Sequence, residues 1–493
     1  MKKLIGSKGF YKMVLAICIP IVIQNGFTNL ASLLDNIMIG QLGTLSMSGV
    51  SITNQLLQVF NVTIFGAMSG PGIFMAQFYG KKNKEGVENC FRIKLIIGIV
   101  ITLLAIFLFY TFGQQLISLY LNDNPTDSLK TLNYGMDYLK IMLIGLIPFV
   151  ITQVYSSSLR ETGNTVLPMI ASVVAVIVNF CINYILIFGH FGFPQLGVSG
   201  AAIGTVVSRV IEMSINIIGG YRNTYLKEAM VLKKVPLSLT KEMLKRGLPL
   251  LCNEILWSIS IALISQSYST RGIIAVAAIN ITTTVTNFFM IVCYAMGNSI
   301  SIVVGQQLGA GEIEKAKDYD LKMLFMNFVM CLAIGIVLFN VSSLIPQIYN
   351  TSLEVKALAS QLLKIAACML PIISIYYSSY FTMRAGGKTF LTFLFDSGYT
   401  FVFTFMSALL LTRLTSLPIL TIYLLVQCVD IPKATLGLVL VRKGIWVHNI
   451  VSDLYDIFSL ENPCFSWIKS ENQSHSWISR EISLFFYIIK EDC

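Results

Sequence analysis

The sequence predicts an all-α polytopic membrane protein, with twelve transmembrane helices in two six-helix lobes related by a pseudo-twofold axis along the membrane normal. Three observations carry this reading. Of the 493 residues, 55% are hydrophobic and only 12% are charged, whereas soluble chains carry about 25% charged residues. The mean hydropathy is +0.73, and the apolar residues fall into blocks that reach the roughly 20 residues a membrane-crossing helix requires. The two halves also echo one another when the chain is slid along itself by 229 positions.

Scanning with a window of about 19 residues places the spans near 14–34, 47–72, 93–112, 136–158, 166–188, 197–219, 247–267, 273–303, 322–346, 358–382, 390–411 and 417–441. Lys2, Lys3, Lys8 and Lys12 precede the first block in the manner of a signal peptide. The apolar run continues through Asn25 and Asp35 without a small-residue cleavage site, so it reads as a retained helix. Connections after the even-numbered spans are basic: Lys81, Lys82, Lys84, Arg92 and Lys94; Arg160; seven residues between Arg222 and Arg246; Lys315, Lys317 and Lys322; and Arg384 with Lys388. With the N-terminal lysines, one side holds 22 basic residues. The other holds 6: Lys130, Lys140, Arg271, Lys356, Lys364 and Arg413. The positive-inside rule then puts both ends of the bundle in the cytoplasm, and the expected location is the plasma membrane, as a multi-pass protein. The net charge of +10 reflects this orientation, and no nucleic-acid partner is expected.

The 229-residue echo aligns Pro20 with Pro249, Gly43 with Gly272, Phe60 with Phe289, Gln77 with Gln306 and Gly80 with Gly309. A second, at 224, aligns Arg160, Gly163 and Thr165 with Arg384, Gly387 and Thr389. These matches divide the chain into lobes at 1–219 and 247–451, an inter-lobe loop at 220–246 and an atypical polar and aromatic tail at 452–493. Two lobes of six helices share one orientation, which places a transport site between them.

An enzyme is not expected, because the chain has no GxxxxGK[ST], HExxH or GxSxG motif. Ten cysteines without a CxxC read as small apolar residues. Three scattered histidines leave no metal centre beyond a Na⁺ site. No cofactor is implied, and an ion gradient is the remaining source of power.

Charges inside a bilayer are expensive and mark function by default. Asp35, Glu254, Asp396 and Asp430 lie within spans, and Arg209 and Glu212 are spaced for an i, i+3 pair. Asp35 shares its span with Gln24, Asn25, Asn29 and Asn36. It reads either as a carboxylate that binds H⁺ or Na⁺ or as a helix end reaching water. Glu254 coincides with Asn25 under the repeat and reads as a second polar site or an interfacial acid. Asn179 and Asn183 sit four apart on one face, where they bridge helices or complete a cation site. Phe288, Phe289, Met290, Tyr376, Tyr377, Tyr380 and Phe381 suit either a cavity for flat cations or ordinary aromatic packing.

Several motifs occur in order along the two halves: LLDNIMIGQLG, AQFYGKKNKE, SLRETGNT, NFCINYILIFGHFGFPQLGVSGAAIGTVVSR, VVGQQLGAGEIEKAK and MRAGGKT. Together they resemble the multidrug and toxic compound extrusion (MATE) transporters over about residues 10–450. The resemblance implies a monomeric exporter of organic cations or amphipathic drugs, with H⁺ or Na⁺ as coupling ion. It also implies that Asp35 is the coupling acid of the N-terminal lobe and Glu254 the acid of the C-terminal cation site. Two positions depart from the family pattern. Asn183 replaces a frequent fifth-helix aspartate, and apolar Ile373 falls where the Na⁺-coupled branch has an acid, with Asp396 as candidate substitute. A proton needs one basic group whereas a hard cation needs several oxygens, which tilts the expectation toward H⁺. The alternatives are a lipid-linked saccharide flippase of the same superfamily and a receptor-like or structural membrane protein without transport.

Overall fold

The computed structural model describes residues 4–121, 125–231 and 233–452. Apart from Ser452, the tail expected at 452–493 lies outside them. Twelve helices are long and apolar enough to cross a membrane: α1 (Lys8–Gly40), α2 (Thr44–Gly80), α3 (Lys84–Ser118), α4 (Pro125–Glu161), α5 (Val166–Phe188), α6 (Val198–Arg222), α7 (Leu237–Ser269), α8 (Ile273–Gly309), α9 (Ile313–Val341), α10 (Leu353–Ala385), α11 (Thr389–Leu414) and α12 (Ile419–Arg442). Among the described residues there is no strand. This is the all-helical, multi-pass membrane architecture the composition predicts.

Most helices outrun their apolar windows. The 37 residues of α2 extend about 55 Å at 1.5 Å per residue, well past a hydrocarbon core of about 30 Å. Backbone hydrogen bonding is satisfied locally whether or not the side chains are apolar, so helices continue beyond the bilayer. Prolines sit inside several of them, among them Pro20, Pro71, Pro148, Pro249, Pro371 and, in α12, Pro432. Each removes a backbone donor, a loss membrane helices tolerate when neighbouring groups re-satisfy the freed carbonyl.

The chain forms two compact units. One comprises Met1–Cys18, Ala76–Asn83 and Lys241–Cys493, the other Ile19–Met75 and Lys84–Thr240. In the second unit α4 and α5 pack on α6, and α3 packs on α4. In the first, α10 is central, packing on α8, α9 and α12. Lipid-facing apolar residues remain exposed, as along α3 at Val100, Leu103, Leu104 and Phe107, and their spacing is that of one helix face. Because lipid is as apolar as a protein core, close approach at small residues matters more here than burial. Gly98 lies against Val150 and Met68, and Gly335 against the Ala367 carbonyl.

Four of the glycines aligned by the internal echoes occupy left-handed backbone in turns: Gly43 (φ +113°) with Gly272 (φ +99°), and Gly163 (φ +83°) with Gly387 (φ +71°). L side chains disfavour this region, which accounts for glycine at the corresponding turns of both halves. The pair Gly80 and Gly309 serves another purpose. A Cβ on Gly80 would meet the backbone of Gln306, and one on Gly309 the backbone of Gln77, so the ends of α2 and α8 cross in reciprocal backbone contact within the first unit. The Gln77 side chain then donates to the carbonyls of Ala385 (3.1 Å) and His448 (3.3 Å) and accepts from the Ile450 N–H (2.9 Å). A backbone cannot move aside as a side chain can. Gly309→Ala is therefore expected to destabilise the protein by about 1–3 kcal/mol, read as a lowered thermal midpoint in detergent. An unchanged midpoint would show that the crossing is loose.

Some basic residues counted toward orientation are interior. Arg92 is 3% exposed and pairs with Glu88 (2.9 Å) while donating to the Val231 carbonyl; Lys94 is 0% exposed and pairs with Glu161. Near helix ends, such ammonium and guanidinium groups can be buried once each finds a carboxylate.

Candidate functional site

In the second unit, α1, α5 and α6 assemble a polar chain around two buried asparagines. Asn183 Nδ2 donates to Asp35 Oδ1 at 2.7 Å and to Asn179 Oδ1 at 3.3 Å, and Asn179 Nδ2 reaches Thr205 Oγ1 at 3.4 Å. The four-residue spacing puts both asparagines on one face of α5, and α6 closes over them. Gly204 approaches Asn183 so tightly that a Cβ there would overlap Asn183 Oδ1. Asn183 is 0% exposed, and its Oδ1 has no hydrogen-bond partner among the described residues.

Deeper along the same helices, Gln24 Nε2 donates to Ser172 Oγ at 3.0 Å, and Ser172 in turn donates to Glu212. The expected Arg209–Glu212 pair does not form. Glu212 points at α5, while Arg209 donates to the Gly145 carbonyl at 3.3 Å and stacks 4.9 Å from the Phe149 ring centroid. Sequence spacing permits an i, i+3 pair, but each side chain finds a partner on another helix. Asn25 is half-buried, and Asn29 and Asn36 are exposed.

The first unit carries a longer network across α7, α10, α11 and α12. Tyr380 Oη donates to Glu254 Oε1 at 3.0 Å, while Asn253 Nδ2 lies 3.4 Å from Tyr380 Oη and 3.1 Å from Asp396 Oδ2. Ser397 Oγ donates to Asn253 Oδ1 at 2.7 Å, and Lys433 Nζ forms an ion pair with Asp396 Oδ1 at 2.9 Å. Asp396 lies on α11 where the helix loosens into π-turns, Leu394–Gly398 and Thr400–Phe405, a distortion frequent at functional sites. Gln24 and Asn253, which are 229 positions apart, thus perform the same task. Each amide bonds a serine on the fifth helix of its half, Ser172 on α5 and Ser397 on α11.

Beside this network lies a cavity of about 280 Å³ walled by Trp257, Tyr268, Tyr294, Tyr376, Tyr377 and Asp430, among others. Met290 also lines it. The other aromatic candidates lie elsewhere: Phe288 is 63% exposed, Phe289 packs against the apolar core of this unit, and Tyr380 belongs to the acid network. Sequence reasoning did not single out Asn253, Ser397, Thr205 or Lys433. Lys433 had a signal, a charge inside an apolar span three residues after Asp430.

Twelve membrane-capable helices, with a network of partly buried carboxylates and amides in each unit, define a polytopic membrane protein. The MatE family signature matches residues 20–185 and 249–397. The chain is 24% identical over 384 residues to the probable multidrug resistance protein NorM of Thermotoga maritima, covering 77% of this chain and 80% of that one. It is 25% identical over 380 residues to the probable multidrug resistance protein YoeA of Bacillus subtilis, covering 75% and 80%. Its fold matches the solved outward-facing conformation of a multidrug resistance MATE family transporter of the MOP superfamily, with a TM-score of 0.81 at 20% identity, covering 90% of this chain and 97% of that one. The chain belongs to the MatE family, the multidrug and toxic compound extrusion transporters.

Proposed function

We propose that the protein is a cation-coupled antiporter of the plasma membrane that exports organic cations or amphipathic drugs by alternating access, with H⁺ as the favoured coupling ion over Na⁺. The observation that carries this reading is the Asp35–Asn183 pair. Buried Asn183 holds Asp35 Oδ1 at 2.7 Å through its Nδ2, so a carboxylate within a membrane-capable helix is held by an uncharged amide. A carboxylate so placed is the group that takes up the cation. Asp35 and Glu254 are the exchanging acids; Asn179 and Asn183 hold the first, and Tyr380 and Asn253, anchored on Asp396, hold the second. The aromatic walls of the cavity and the carboxylate of Asp430 suit a ring-bearing cation, and the names of the relatives support drugs as the substrate class. The same reading places one chain in the bilayer as a functional monomer.

Orientation is tested by cysteine labelling. With both bundle ends in the cytoplasm, an impermeant reagent added outside labels Gln195→Cys, in the α5–α6 loop, and leaves Lys82→Cys and Lys234→Cys untouched. Labelling of Lys234→Cys from outside reverses the orientation. Transport is tested by efflux of a fluorescent organic cation from cells expressing the chain; accumulation equal to that of control cells removes the export reading.

A further inference from the structure

The ammonium of Lys433 is held as a bound ion would be. Its Nζ lies 2.9 Å from Asp396 Oδ1, 3.1 Å from Thr400 Oγ1 and 3.3 Å from the Asp396 carbonyl oxygen. The ring of Tyr376 has its centroid 4.5 Å away, with those of Phe395 and Tyr399 at 5.8 and 5.9 Å. The side chain is 2% exposed. All three oxygens belong to the π-helical stretch of α11, so one distorted segment supplies a carboxylate, a carbonyl and a hydroxyl to a single point. Oxygen ligands and ring faces are what a monovalent cation needs once it leaves water. Asp430, three residues earlier on α12, lines the adjoining cavity with Lys433, so the point has access to a space large enough for hydrated ions.

We propose that Lys433 is a tethered monovalent cation: it permanently occupies an inorganic-cation site built around Asp396, and so withholds Asp396 from ion exchange. Shortening the side chain opens that site to a free monovalent cation, Na⁺ or K⁺, or to a small primary ammonium. This goes beyond the export reading, since it concerns which carboxylate of the first unit can take up an ion, and its test reads binding without transport.

The experiment compares thermal midpoints of purified full-length protein as NaCl or KCl replaces choline chloride at constant ionic strength. Wild type is expected to show no response. Lys433→Met is expected to rise saturably, by about 2 °C at cation concentrations well above its dissociation constant. In Asp396→Asn/Lys433→Met, which removes the carboxylate as well, the response is expected to vanish. In Lys433→Ala, n-propylammonium restores the midpoint better than choline. A Lys433→Met protein that folds but ignores Na⁺ and K⁺ overturns the proposal, as does an equal response in the double variant. If Lys433→Met is unrecoverable even in high NaCl or KCl, no free cation replaces the ammonium, and the proposal fails on that result too.

Discussion

Asp35→Asn is expected to abolish energised efflux while the protein still folds and inserts. The amide is nearly the same size as the carboxylate and its Oδ1 can still accept from Asn183 Nδ2, now 2.7 Å away, so the link from α1 to α5 survives. What the variant loses is the ability to ionise. A coupling group must bind its ion differently in the two states of the cycle, because a ligand shifts an equilibrium only through differential affinity. An uncharged amide has little to offer a proton or Na⁺. Efflux of a fluorescent cation from everted vesicles should fall to the level of vesicles without the protein, with normal amounts of folded protein in the membrane. Undiminished efflux would make Asp35 a helix end reaching water.

Glu254→Gln is expected to have the second-largest effect. The glutamine oxygen still accepts from Tyr380 Oη, now 3.0 Å from Glu254 Oε1, so the junction of α7 with α10 is kept and its charge is removed. If Glu254 exchanges an ion, efflux falls by about tenfold or more, the loss expected when 1.4 kcal/mol or more of coupling disappears. Tyr380→Phe provides the contrast, since it removes a hydrogen bond and keeps the acid. It should weaken efflux less than Glu254→Gln does. The reverse order would assign the network a structural role.

How far these sites could be read from the chain depended on whether the cause was local. Gly43, Gly272, Gly163 and Gly387 were visible as repeat matches because a left-handed turn imposes glycine wherever it recurs. The spacing of Asn179 and Asn183 put them on one face of α5, yet their meeting with Asp35 depends on how α1 packs on α5, which no periodicity encodes. Arg209 and Glu212 illustrate the converse, since their spacing allowed a pair that tertiary partners took apart. The π-turns around Asp396 are invisible to a helical pattern because they alter the backbone ladder and leave the apolar composition unchanged. Lys433 was absorbed into an apolar span, and without α11 opposite it nothing identified Asp396 as its partner.

We propose that an ion gradient, acting through Asp35 and Glu254, drives organic-cation movement. The most direct test of this proposal uses proteoliposomes holding the wild type, Asp35→Asn or Glu254→Gln, with a pH gradient or a Na⁺ gradient imposed alone. The pH gradient alone is expected to drive substrate movement in the wild type, and each substitution to remove it. Substrate movement driven by neither gradient, or undiminished in both variants, would contradict it.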